Sequence, residues 1–207
     1  MKIHTEILDS RTLRIIDSIK GISLLKDFYL SGGTGLSLQI GHRESIDLDF
    51  FSKLKFEPEL LQTELQQKGE LSSTSLHDDA LNTFLDRVKL QFLYYPYDLL
   101  EDTYLWNGIC VSSVIDIACT KLITISQRGS KKDFIDMHFL LQRWSLAELF
   151  ELLDKKYKDI HYDHAHIVKS LVYFDDADKQ PMPKMLVNLN WTDVKTSMLS
   201  TIKKFVF

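Results

Sequence analysis

Near the start of the chain, apolar residues recur at Leu8, Ile15, Ile16 and Ile19 with a period close to 3.6, which predicts an amphipathic helix over 7–19 ended by Gly21. Phe28-Tyr29-Leu30 reads as a short strand, residues 31–35 as a tight glycine turn, and Leu36, Leu38 and Ile40 as a short helix. After a polar loop over 41–45, residues 46–51 alternate apolar and acidic with a period of two, the pattern of a half-buried strand. A helix over 58–68 follows, then strand candidates at 71–77, 84–88 and 89–95, the last bounded by Pro96.

From Ser113 the pattern becomes helical: Val114, Ile117, Ala118, Leu122 and Ile125 make one face, and Phe134, Met137, His138 and Leu141 another. Ser145 and Glu148 carry a capping-box signature that opens a helix to about Tyr157. Helices over 163–174 and 192–205 close the chain, separated by a loop over 175–183. The pattern predicts an α+β protein. Residues 1–111 hold a mixed sheet with helices, and residues 112–207 a helical domain that completes a cleft against it.

With 207 residues, 44% of them hydrophobic, the chain can bury one large core or a compact domain plus a smaller helical one. The start is too polar for a signal peptide and no run approaches the length of a bilayer span, so a cytoplasmic protein without a membrane partner is expected. Cys110 and Cys119 lack metal or redox spacing and read as reduced thiols in or near the core. A net charge of -4 excludes a generally basic nucleic-acid binder; an RNA partner would have to meet a local patch, such as Lys53 with Lys55 or the segment 128–132.

Candidate chemistry gathers in two places. Asp47 and Asp49 stand at i and i+2 on the predicted strand, so both carboxylates leave one face while Ile46, Leu48 and Phe50 face the core. Two hard oxygen ligands at that spacing suit Mg²⁺ bound to a triphosphate, because this ion takes few protein ligands and completes its shell from phosphate and water. Gly32 and Gly33 let backbone N–H groups at a helix mouth approach phosphate oxygens, with Ser31 as an added hydroxyl donor. Arg43 and Ser45, in the loop entering the acidic strand, are further phosphate candidates. Tyr94, Tyr95 and Tyr97 can stack on a base or simply end a strand against a helix. His161, Asp163, His164 and His166 mimic a metal cluster, but surface histidines with Asp163 as a helix N-cap account better for them.

The run from Phe28 through Ser31-Gly32-Gly33 to Ile46-Asp47-Leu48-Asp49-Phe50-Phe51-Ser52 resembles the signature of the AbiEii/AbiGii nucleotidyltransferase toxin family, part of the polymerase-beta-like superfamily. Asp116 to Lys121, followed by Arg128 and then Lys132-Asp133 and Asp136, is similar to that family's later motifs. The resemblance implies a polymerase-beta-like nucleotidyltransferase core followed by a helical domain, binding of Mg²⁺ (or Mn²⁺) and a nucleoside triphosphate, and transfer of a nucleotide to an acceptor, in some members the 3′ end of tRNA, which is the acceptor expected here. It further implies a toxin with a cognate antitoxin.

Matched position by position, Gly32 and Gly33 are the phosphate turn, Asp47 and Asp49 the metal ligands, and Lys121 the phosphate-contacting lysine. Arg128 joins Lys121 on one helical face, seven residues away. Asp133 matches the later acidic position, a candidate for metal ligation or for activating the attacking hydroxyl, with a structural salt bridge among Arg128, Lys132, Asp133 and Asp136 as the plain alternative. One departure is Gln91, which stands where related enzymes bring a third carboxylate; this opens the choice between one metal and two. Two other readings fit the same residues: a nucleotide-binding partner protein without catalysis, and transfer to a hydroxyl of a protein or small molecule.

Overall fold

A computed structural model describes residues 2–206. The first helix, α1 (Ser10–Ile19), begins where Asp9 offers a side-chain oxygen to the Thr12 amide. It therefore starts three residues later than periodicity alone predicts, and Ile7 belongs to a preceding 3-10 turn.

Among the described residues, seven strands form one mixed sheet: β1 (Phe28–Leu30), β2 (Leu48–Ser52), β3 (Leu71–His77), β4 (Ala80–Leu85), β5 (Val88–Tyr94), β6 (Tyr104–Trp106) and β7 (Ile109–Val111). Their order across the sheet is β3-β4-β5-β2-β1-β7-β6. The centre holds β1 antiparallel to β2 and parallel to β7, with β2 parallel to β5. Besides α1, this half holds α2 (Gly32–Ile40) between β1 and β2, and α3 (Pro58–Gln66) after β2.

Strand boundaries depart from the sequence pattern where turn chemistry is unusual. The β4–β5 hairpin turns at Asp86-Arg87, both with left-handed φ, so the first strand spans 80–85 rather than 84–88 and the second begins at Val88. Asn107-Gly108 turns the β6–β7 hairpin in the same way. Its strands are three residues each, too short for a period to register. Ile46, expected in the core, is 51% exposed, because β2 starts only at Leu48.

The second half is helical: α4 (Val114–Gln127), α5 (Lys131–Leu140), α6 (Leu146–Lys156), α7 (His164–Ser170), α8 (Asp175–Asp178) and α9 (Trp191–Val206). α8 lies within the stretch predicted to be loop. Ser113, Ser130, Ser145 and Asp163 are the N-caps of α4, α5, α6 and α7, each accepting a first-turn amide.

Apolar residues from Ile7 to Val111 make one core, and those from Ile115 to Met198 make a second that also takes in Leu36. α2 serves both, with Leu38 in the first core and Leu36 in the second. The segment before α9 returns to the first half, where Glu44 N–H donates to the Lys184 carbonyl and Leu186 N–H to the His42 carbonyl. Among the described residues no helix is long and apolar enough to cross a membrane.

Candidate active site

The glycine pair forms the first turn of α2 itself rather than a turn ahead of it. Gly32 has φ +60°, and a Cβ there would lie 2.3 Å from Asp49 Oδ2. A Cβ on Gly33 would lie 2.5 Å from Arg43 Nη2. The Asp49 carboxylate and the Arg43 guanidinium approach the backbone this closely only because neither glycine carries a side chain. Ser31, the N-cap, makes no capping bond; it is buried, and its hydroxyl accepts from Ser112 at 3.0 Å. The first-turn amides of α2 are thus left without a side-chain cap at a helix end that favours anions.

Asp49 is the second residue of β2, paired in register with Gln91 of β5, and the Ser31 amide donates to its carbonyl. Asp47 stands just ahead of the strand; its carbonyl accepts from the Thr34 hydroxyl, which also bonds Ser45 Oγ at 2.8 Å. Both carboxylates are half-buried. Among the described residues neither side chain has an ion-pair or hydrogen-bonding partner. Burial pushes the Asp49 carboxyl above its ordinary range, with Lys121 opposing and the Asp47 charge reinforcing the shift.

Among the described residues the three fully buried carboxylates behave differently: each is neutralised. Asp116 pairs with Lys156 Nζ at 2.6 Å and accepts from Ser113 and the Leu100 and Glu101 amides. Asp136 receives Arg43 Nε at 2.7 Å and Nη2 at 2.9 Å, Lys121 Nζ at 2.7 Å and His42 Nε2 at 2.7 Å. Asp133 Oδ1 accepts from Lys121 Nζ at 2.7 Å and its Oδ2 from Ser130 Oγ at 2.6 Å, within a capping box.

Burial alone would raise both the Asp133 and Asp136 carboxyls; Lys121 and, for Asp136, Arg43 foremost hold them below the usual range instead, Asp136 well below. Burial likewise works against the Lys121 ammonium, but Asp136 and Asp133 keep it above its ordinary value. The His42 imidazole is pushed down by burial, so it is neutral at pH 7 and donates Nε2–H to Asp136.

A cleft of about 350 Å³ brings Gly32, Gly33, Asp49 and Gln91 together with Lys121 and Arg128 from α4 and its C-cap. Its lining also takes in the rings of Phe51, Tyr95, Tyr97 and Tyr162 and the neutral polar Thr120, Thr124 and Gln127. Arg43 and Ser45 lie behind the glycine turn rather than in this lining; Arg43 is 1% exposed because Asp136 draws it inward. Arg128 is largely exposed, 3.6 Å from Asp133 Oδ2. Lys132 is exposed, so the ion pairs of Asp133 and Asp136 run to Lys121, Arg43 and Arg128 instead.

Comparison with known proteins accords with this geometry. The family model for the nucleotidyl transferase AbiEii toxin, of type IV toxin–antitoxin systems, matches residues 22–97 and 86–205. The chain belongs to the AbiEii nucleotidyltransferase toxin family. An uncharacterized protein of Aquifex aeolicus, aq_aa25, is 36% identical over 197 residues, covering 92% of this chain and 94% of that one.

Two solved structures share the fold. MenT4, a nucleotidyltransferase toxin from Mycobacterium tuberculosis, aligns with a TM-score of 0.55 at 13% identity, over 92% of this chain and 80% of that one. JHP933 from Helicobacter pylori aligns with a TM-score of 0.56 at 17% identity, over 95% and 92%. As an AbiEii-family member the protein is a nucleotidyltransferase with a nucleoside triphosphate as substrate and an antitoxin as partner.

Sequence reasoning did not reach Tyr162, Thr120, Gln127 or His42. Tyr162 joins the cleft from a loop ahead of α7, and no local period marks a loop residue. His42 precedes Arg43 in the quoted signature, and only its burial against Asp136 reveals its task.

Proposed function

We propose that this AbiEii-family enzyme transfers a nucleotide from a nucleoside triphosphate to the 3′ end of tRNA in the cytoplasm, using Mg²⁺, or Mn²⁺ in its place. One observation carries the reading: Asp47 and Asp49 have no protein partner, whereas every fully buried acid described is paired. The Asp49 carboxylate against the helix mouth, with the Asp47 charge acting on it from two residues away, suits a hard divalent ion and bound phosphate. Such an ion would supply neutralisation of the triphosphate charge. Gln91, in register with Asp49, carries an amide, which favours a site built on two carboxylates.

The chain's own residues divide the remaining work. The α2 amides receive phosphate oxygens, and Lys121 adds positive charge at the same place. Asp133 is a positioning residue: both its oxygens are engaged, and its depressed pKa makes it a poor proton acceptor. Register carries the cleft from Asp49 past Phe51 to Tyr95, so the aromatic walls meet the base, and the neutral Thr124 and Gln127 offer hydrogen bonds to its edge. In the reaction the acceptor hydroxyl oxygen bonds to the α-phosphorus, the bridging bond to the β-phosphate breaks, pyrophosphate leaves and the hydroxyl proton passes to solvent.

The test incubates the purified protein with total tRNA, Mg²⁺ or Mn²⁺ and each α-labelled nucleoside triphosphate, beside the Asp47→Asn/Asp49→Asn variant. Label is expected in RNA only with the intact carboxylates. The metal-free variant is expected to melt above the unaltered chain, because two neighbouring unpaired charges no longer repel. Equal labelling by both proteins would sink the assignment, and label recovered in protein instead of RNA would name a different acceptor.

A further inference from the structure

A transferase with two substrates needs two subsites that meet at the reacting phosphorus. Gln127 and Arg128 line the nucleotide cleft, and these same residues border a second cavity of about 370 Å³. It lies between the C-terminal end of α4, α7 and the start of α8. Its chemistry differs from that of the cleft. Arg128 and Lys169 bring positive charge, Ser126 and Ser170 bring hydroxyls, and Tyr173 brings a ring.

Asp176, the carboxylate in this lining, is 3.4 Å from Lys179 Nζ. Lys169 has no ion-pair partner among the described residues. Tyr173 is 60% exposed, while the next residue, Phe174, packs against Phe134 and Trp191. Core packing therefore accounts for Phe174 and leaves the Tyr173 ring open to a ligand.

We infer that this second cavity holds the terminal nucleotides of a single-stranded polynucleotide acceptor, with Arg128 and Lys169 meeting backbone phosphates and Tyr173 stacking on a base. The inference rests on the proposed transferase function and adds where the acceptor lies. Cations, hydroxyls and an exposed ring in one concavity are the groups that single strands use. The net charge of -4 disfavours extended, sequence-independent binding along a duplex, so a short strand end is the part of the acceptor that fits best. Arg128, shared by both cavities, sits where the two substrates meet.

The experiment measures fluorescence anisotropy of a fluorescein-labelled single-stranded hexaribonucleotide with the unaltered chain, Lys169→Glu and Tyr173→Ala. Each variant is checked for an unchanged melting temperature and for binding of a fluorescent nucleoside triphosphate. Both substitutions are expected to weaken RNA binding roughly tenfold while nucleotide affinity stays the same. Tyr173→Phe is expected to retain affinity, because stacking needs the ring and not the hydroxyl.

The slope of log affinity against log salt is expected to fall by about 0.7 in Lys169→Glu, one phosphate contact on a single strand. RNA affinity unchanged in both variants, no RNA binding by a chain that binds nucleotide, or equal affinity for a blunt duplex overturns the inference and leaves the proposed function standing. Absence of nucleotide binding by the unaltered chain removes the proposed function, and this inference with it.

Discussion

Replacing Asp136 by Asn removes one negative charge from a place where it faces Arg43, Lys121 and His42 with almost no access to water. The carboxylate takes four contacts of 2.7–2.9 Å, two of them the paired Nε and Nη2 of Arg43. An amide keeps one acceptor oxygen and turns an NH₂ toward one of the cations. Lys121 retains Asp133, but Arg43 loses its ion-pair partner and stays buried. Breaking a buried pair in this way costs about 3–5 kcal/mol. For a chain of this size each kcal/mol lowers Tm by roughly 2–4 °C, so Asp136→Asn is expected to melt about 6–20 °C below the unaltered protein.

The measurement is calorimetry with a urea titration, on metal-free and nucleotide-free protein. The pH dependence gives a second check. Arg43 and Lys121 hold the Asp136 carboxyl well below its ordinary value against the opposing effect of burial. Its stabilisation is therefore complete above the unfolded pKa of about 3.9 and is lost as pH falls through the lower folded value. The gap between the two proteins should stay constant from pH 7 to pH 5 and narrow only below about pH 4. A loss under about 1 kcal/mol, or a gap that closes between pH 7 and 5, refutes the reasoning.

Gly32→Ala places a Cβ 2.3 Å from Asp49 Oδ2 on a backbone with positive φ, so it should cost about 1–2 kcal/mol and displace the carboxylate. Isothermal titration should find Mg²⁺-dependent nucleotide binding lost in a protein that still folds; undiminished binding would show that the close approach is dispensable. Tyr97→Ala should weaken nucleoside triphosphate binding roughly tenfold while leaving inorganic tripolyphosphate unaffected, since only the nucleoside carries a ring to stack. Parallel losses for both ligands would place Tyr97 outside the base site.

The close approach at the glycine pair and the strand around Asp49 were legible because their meaning is local: a backbone without side chains, and a period of two. The long helices were legible through their apolar period, and α6 also through its Ser145–Glu148 capping box. Partnership was not. Lys121 and Arg128 read as phosphate contacts and Asp133 as a metal ligand or an activator of the hydroxyl, with a salt bridge of Asp133 to Arg128 or Lys132 as the alternative, whereas the structure gives Lys121 and Asp133 to each other and leaves Arg128 largely in solvent. Arg43 read as a loop residue free to reach phosphate, and only the fold brings Asp136 to it across 93 residues. The Asn107-Gly108 turn was present in the sequence, but its three-residue strands gave no pattern around it.

The Asp136 cluster bears on how such a chain can change over generations. His42 and Arg43 come from one core's side and Lys121, Asp133 and Asp136 from the other. A recombination joint between residues 111 and 112 would therefore leave each parent's charges facing a stranger's. A chimaera of relatives with such a joint is expected to fold only when both parents carry a matching set, a demand added to the one that Leu36 already makes by packing into the second core.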